Sequence, residues 1–228
     1  MSEFQCKPGY CVKCCTDVKQ NVLTIGDLYR QWFYRQKTGE RTRFHNVFRE
    51  LCNDWDLIPG TDGNVRAMPI SKIPCPQLDM EEKKCSVHGV AIYLACAGFP
   101  EDWLIEMPSY GWDETASREF LDQLECFKGV TLSDERKEKT LKIRDIVDRE
   151  TYLTTELLLG KVFPHSVVGH KPSKRVQREL MFRLRYISEN KNELRVVREN
   201  LIRNKTLQDY EKYVMTEEDP GFSFCEEI

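Results

Sequence analysis

The stretch CKPGYCVKCC puts four cysteines, Cys6, Cys11, Cys14 and Cys15, within ten positions of a 228-residue chain. No other feature constrains the fold as strongly, because thiols at this density must be bridged, ligated or kept apart. A bridge between the adjacent Cys14 and Cys15 would be strained. The opening MSEFQCKPGY has no basic stretch running into an apolar core, which predicts no secretory leader and a reducing, cytoplasmic location. In such a compartment, cysteines at short spacings read as thiolate ligands.

The remaining cysteines divide the chain. Cys52, Cys75, Cys85, Cys96 and Cys126 also fall before residue 130, and only Cys225 lies beyond it. The first part carries the turn signals KPG, PGTDG and PCP; after FKGVTLSDE the chain turns into long, charged, helical stretches. The expectation is a mainly α chain with a small irregular β-hairpin: a metal-stapled cysteine-cluster domain over 1–130 and a helical C-terminal region over 131–228. With 40% hydrophobic and 31% charged residues the chain has the composition of a globular protein. Its longest apolar run, VAIYLACAGF at 90–99, is about half a membrane span, so no membrane association is expected.

Periodicity places the elements. TIGDLYRQWFYRQKTG reads as a helix capped by Thr24 and ended at Gly39, with Ile25, Leu28, Tyr29, Trp32 and Phe33 inward. RFHNVFRELCNDW reads as a second helix whose stripe runs from Phe44 through Cys52 to Trp55, making Cys52 a core residue and not a ligand. VRAMPISKIPCPQLDMEEKKCSVH reads as short strands with a tight turn near Met80–Lys83. GVAIYLACAG reads as a buried helical turn, and DETASREFLDQLECFKG as a helix with Cys126 off its apolar face. A long helix starts at Ser133 and stops at Gly160. KPSKRVQRELMFRLRYISEN and ELRVVRENLIRNK continue with Val176, Leu180, Leu184, Ile187, Leu194, Val197 and Leu201 inward.

The chemistry rests on spacing. Cys11-x2-Cys14 can aim two sulfurs at one metal from a tight turn, whereas Cys15 diverges from Cys14 and suits a second metal or a cluster. Cys75, Cys85 and Cys96 flank or follow the predicted turn. Together with Cys6, these seven cysteines exceed the four thiolates of one tetrahedral zinc or one four-iron cluster. The count and the adjacent pair favour an iron–sulfur cluster of the 4Fe-4S type over zinc.

The order C-x4-C-x2-C-C, then CPQLD, KCSVH and ACAGFP, resembles the YkgJ-type cysteine-cluster family, a zinc- or iron-chelating domain. The matching positions are Cys11, Cys14 and Cys15, Cys75 to Leu78, Cys85, Cys96, and Phe99 with Pro100, with Cys6 matching a cysteine found in some members. The family's Arg-Pro pair is absent; Ile92 and Tyr93 stand in that region, and His88 replaces an aromatic. The family is distantly related to flagellin lysine N-methylases. That relation implies an alternative, an S-adenosylmethionine-dependent iron–sulfur protein methylase, beside the favoured structural, electron-transfer or metal-handling role.

Other residues have plainer readings. His88 has chelating spacing from Cys85, while His45, His165 and His170 read as structural or solvated. Residues 171–205 hold eleven Lys or Arg against four Glu. This is either a solvated helical face or a basic surface for a protein partner, with RNA as the other candidate. If it is only a solvated face, its charges are paired locally with Glu179, Glu189, Glu193 and Glu199.

Overall fold

Thr24 starts the first helix, α1 (Ile25–Lys37), through a reciprocal cap: the Asp27 N–H donates to Thr24 Oγ1 at 3.0 Å, and the Thr24 N–H donates to Asp27 Oδ2 at 3.0 Å. The computed structural model describes residues 15–16, 21–59, 65–99, 115, 119, 121–122, 133–158, 172–215 and 222–226. Among these the chain is mainly helical, with two small antiparallel hairpins. Past the end of α1, Gly39 takes φ +89°, the left-handed conformation that a glycine adopts without steric cost.

The second helix, α2 (Phe44–Leu51), is shorter than its apolar stripe predicted. The chain leaves it at Cys52 and continues as strand β1 (Cys52–Pro59), antiparallel to β2 (Val65–Ser71). Asn53, Asp54 and Asp56 explain the switch, since their short polar side chains compete with helical hydrogen bonding. The Asp54 and Asp56 carboxylates accept from the N–H groups of Trp55 and Leu57 at 2.8 and 2.9 Å. Trp55 and Leu57 are then buried at the two-residue period of a strand, and Trp55 still stacks on Phe48 with ring centroids 4.7 Å apart. Leu51, Cys52 and Trp55 also fit a helical period, which is why the sequence alone extended the helix. The closing carbonyls of α2 are taken by Lys72, whose N–H bonds Leu51 O at 2.8 Å and whose Nζ bonds Arg49 O at 2.7 Å.

A second hairpin joins β3 (Leu78–Asp79) to β4 (Lys84–Cys85). Its turn lies at Met80–Lys83, as the sequence indicated. Asp79 Oδ1 accepts the N–H groups of Glu81 and Glu82, each at 2.9 Å, and Lys83 is left-handed with φ 50°. A single helical turn, α3 (Leu94–Ala97), follows.

The long helix α4 (Asp134–Leu158) starts after Ser133, whose hydroxyl accepts the Arg136 N–H at 3.3 Å. Gly160, the predicted stop, lies outside the described residues, as does most of DETASREFLDQLECFKG, including Cys126. Next come α5 (Lys174–Glu189), α6 (Lys191–Arg203) and α7 (Thr206–Tyr213), with Ser173 capping α5 and Asn190 capping α6. Leu180, Leu184, Ile187, Val197 and Leu201 are buried, and Val176 and Leu194 are half-buried, all on the expected faces. One hydrophobic core contains residues from α1, α2 and β1 as well as Ile146, Leu184, Leu201 and Tyr210, so it crosses residue 130. Phe224 closes this core against Phe33 and Tyr210 at centroid distances of 5.7 Å.

Candidate functional site around the cysteines

Helix α1 turns a polar edge inward. Asp27, Arg30 and Gln31 are all buried to 1% exposure or less, and each holds a different part of the chain. Arg30 makes a two-pronged ion pair with Glu150 of α4, Nη1 to Oε1 at 2.6 Å and Nη2 to Oε2 at 3.0 Å, and reaches Asp27 Oδ1 at 2.9 Å. Its guanidinium lies 4.1 Å from the centre of the Tyr210 ring. Burial opposes the Arg30 charge, but Glu150 and Asp27 outweigh it and push its pKa up. The Thr24 hydroxyl lies 2.5 Å from Glu150 Oε2, and Thr154 accepts the Ile25 N–H at 2.8 Å. The node is sealed from solvent and serves as a brace between α1 and α4.

The same face of α1 positions the chain around the cysteines. Asp27 Oδ1 accepts the Leu94 N–H at 3.1 Å, Gln31 Nε2 donates to Ala91 O at 2.5 Å, and Tyr210 Oη donates to Ile92 O at 2.6 Å. Three hydrogen bonds within four residues therefore pin the segment that leads into Cys96. Gln31 also accepts from Gln77 Nε2 at 2.9 Å, and Gln77 in turn receives the Ser86 hydroxyl at 2.8 Å and the Ser86 N–H at 2.8 Å. These bonds hold the hairpin that carries Cys75 and Cys85. Just before α1, Asn21 Nδ2 donates to Cys96 Sγ at 3.4 Å, while Asn21 itself is tied to Ser71.

Four of the seven predicted ligands lie in the described residues. Cys75 N–H donates to Cys15 O at 2.8 Å, so the end of the N-terminal cluster runs beside the hairpin. Leu78, bonded to Cys75 O at 3.0 Å, is the β-partner of Cys85. Cys75, Cys85 and Cys96 all pack half-buried against the same core. Cys6, Cys11 and Cys14 lie outside the described residues. Among the described residues, no three His, Cys, Asp or Glu side chains are arranged to hold a metal ion. Tyr93, three residues before Cys96, keeps a buried hydroxyl that has no hydrogen-bond partner.

Cys52 stands apart as a core thiol, 4% exposed, and burial pushes its pKa up and keeps it protonated. His88 is half-buried, and its N–H donates to Cys85 O at 3.2 Å. His165 and His170 lie outside the described residues.

His45 is buried and its Nδ1 lies 2.9 Å from Ser188 Oγ, joining α2 to α5. Burial lowers its pKa, Arg49 and Arg185 lower it further, and Glu189 partly offsets them. The unfolded chain therefore binds this proton more readily than the folded one. His45 should contribute stability above its unfolded pKa of about 6.5, and that contribution should fade as pH falls below it. Urea midpoints measured across this range should fall less on the acid side for His45→Gln than for the wild type; parallel curves would contradict the assignment.

In the basic stretch, the four glutamates each take an arginine: Arg175–Glu179 at 3.0 Å, Arg183–Glu193 at 2.9 Å, Arg185–Glu189 at 2.8 Å and Arg195–Glu199 at 3.5 Å. Arg198 is spent on the C-terminal segment, where it donates to the carbonyls of Cys225 and Glu226. No helix among the described residues is long and apolar enough to cross a membrane.

The brace formed by Arg30, Asp27 and Glu150 was missed from sequence, although one signal was present. Glu150 occupies an inward position of α4, in line with Ile143, Ile146 and Leu153, where a carboxylate must find a buried cation. Compared with known proteins, the chain matches no family model, no curated protein and no solved structure.

Proposed function

We propose that this chain is a metal-binding cysteine-cluster protein of the YkgJ type. On this reading Cys6, Cys11, Cys14, Cys15, Cys75, Cys85 and Cys96 supply the thiolates for an iron–sulfur centre, 4Fe-4S in preference to zinc. The observation that supports the reading is the bond between Cys75 N–H and Cys15 O, which brings the backbone of Cys15 beside that of Cys75. When bound, the centre supplies a structural brace or a one-electron redox group. The chain's own part is to deliver deprotonated sulfurs from fixed backbone positions, with Gln31 orienting two of the three downstream segments.

Anaerobic purification followed by metal and acid-labile sulfide analysis tests this. Brown protein with matching iron and sulfide is expected. Colourless protein with stoichiometric zinc and no sulfide would move the assignment to zinc, and protein without metal would reject the reading.

The stretch 171–205 is, on the same reading, the docking element for an acidic protein partner, with RNA as the second occupant. Arg175, Arg183, Arg185 and Arg195 are paired with the stretch's own glutamates, as a solvated face predicts, so the docking reading is carried by Lys174, Arg178, Lys191, Arg203 and Lys205, which are exposed and with which no carboxylate among the described residues pairs.

A further inference from the structure

Two helices carry exposed stripes of opposite charge, each with large apolar side chains set in it. On α4, Glu138, Leu141, Asp145, Asp148, Tyr152 and Glu156 recur every three or four positions and so share one face. All are exposed, Leu141 to 52% and Tyr152 to 53%. The opposite face of the helix is the one buried through Ile143, Ile146, Glu150 and Leu153. Arg149 takes Asp145 at 2.7 Å, and Lys137 at the border takes Asp134 at 3.1 Å. Among the described residues no basic side chain pairs with Glu138, Asp148 or Glu156.

On α5 the exposed face carries Lys174, Arg178, Phe182, Arg185 and Tyr186, again three or four positions apart, with Phe182 exposed to 73% and Tyr186 to 43%. Arg185 is held by Glu189 at 2.8 Å, so Lys174 and Arg178 are the charges that no carboxylate among the described residues takes. A lone exposed apolar residue is ordinary. Aromatic side chains set among arginines have instead the composition of the centre of a protein interface.

We propose that the acidic partner of α5 is the α4 stripe of a second copy of this chain. The inference rests on the docking reading above and names its occupant. The charges are complementary, and the spacing matches as well. Seating Phe182 on Leu141 in an antiparallel helix pair puts Arg178, one turn back, across from Asp145, and Lys174, a further turn back, across from Asp148. Apolar contact between the exposed side chains supplies burial, and the charges set partner and register. The two faces are unlike, so the contact is head-to-tail, and it closes into a dimer where both pairs form about a twofold axis.

Sedimentation of the full-length wild type across the micromolar range should show reversible association. It should weaken about 10-fold or more between about 0.1 M and about 1 M salt, as the screening length falls from about 10 Å to about 3 Å. Arg178→Glu alone and Asp148→Arg alone should each weaken it about 10-fold or more, because each sets like charges face to face. An equimolar mixture of the two variants should associate again as a 1:1 pair, since the Asp148→Arg chain keeps an intact α5 and the Arg178→Glu chain an intact α4. Wild type that stays monomeric overturns the proposal, and so does a mixture that fails to associate. Polyglutamate and a single-stranded RNA oligomer, each titrated into wild type, keep the docking reading separate. Monomeric protein that binds polyglutamate, and loses it with Arg178→Glu, overturns the second copy as occupant and keeps α5 as a docking face. Monomeric protein that binds RNA alone overturns the second copy in favour of a nucleic acid, and protein that binds neither removes both readings.

Discussion

Arg30→Met is expected to lower the stability of the fold by about 3–5 kcal/mol, read as a lower denaturation midpoint. The substitution leaves Asp27 and Glu150 in a space of essentially zero exposure without the guanidinium that both now share. Neither can turn to water, because α1 and α4 close on each other at this point. Gly26→Ala attacks the same brace sterically: a Cβ at position 26 would lie 2.0 Å from Glu150 Oε2, so the carboxylate must leave its place. It should destabilise through the same displaced ion pair. Replacing both partners, Arg30→Met with Glu150→Leu, should recover part of the loss of Arg30→Met alone, since most of the penalty comes from the stranded charge. A loss below about 1 kcal/mol for Arg30→Met would contradict the view that this pair braces α1 against α4.

On the proposed metal-binding reading, serine in place of Cys14, Cys75, Cys85 or Cys96 should abolish metal binding and unfold the cysteine-bearing segments, because metal affinity in such sites is folding free energy. Bound metal measured on purified protein and the loss of folded signal on chelation report the two effects. Cys52→Ser should behave differently. It buries a hydroxyl in an apolar position at a cost of about 1–3 kcal/mol and leaves the metal content unchanged. Equal metal loss from Cys52→Ser would remove the distinction between core thiol and ligand that burial supports.

Much of the helical frame was legible in the sequence because it is encoded locally. Thr24 and Ser133 are starts that need only their own neighbours, and the apolar faces of α5 and α6 follow from a 3.6-residue period. The hairpin turn at Met80–Lys83 is local in the same sense. The boundary at Cys52 was not legible, since Leu51, Cys52 and Trp55 satisfy a helix while Trp55 and Leu57 satisfy a strand. Pairing with β2, a long-range contact, decided between them.

The sequence by itself determined the number and spacing of the cysteines, on which the metal-binding proposal rests, because these are properties of neighbouring residues. Only the tertiary structure decided how the cysteine segments are held: Gln31, Asp27 and Tyr210 reach across 46 to 118 positions to fix them. It also decided that Arg30 and Glu150, 120 positions apart, form a buried pair. A sequence displays charges without their burial, and a buried charge acquires its meaning from the partner that folding brings to it.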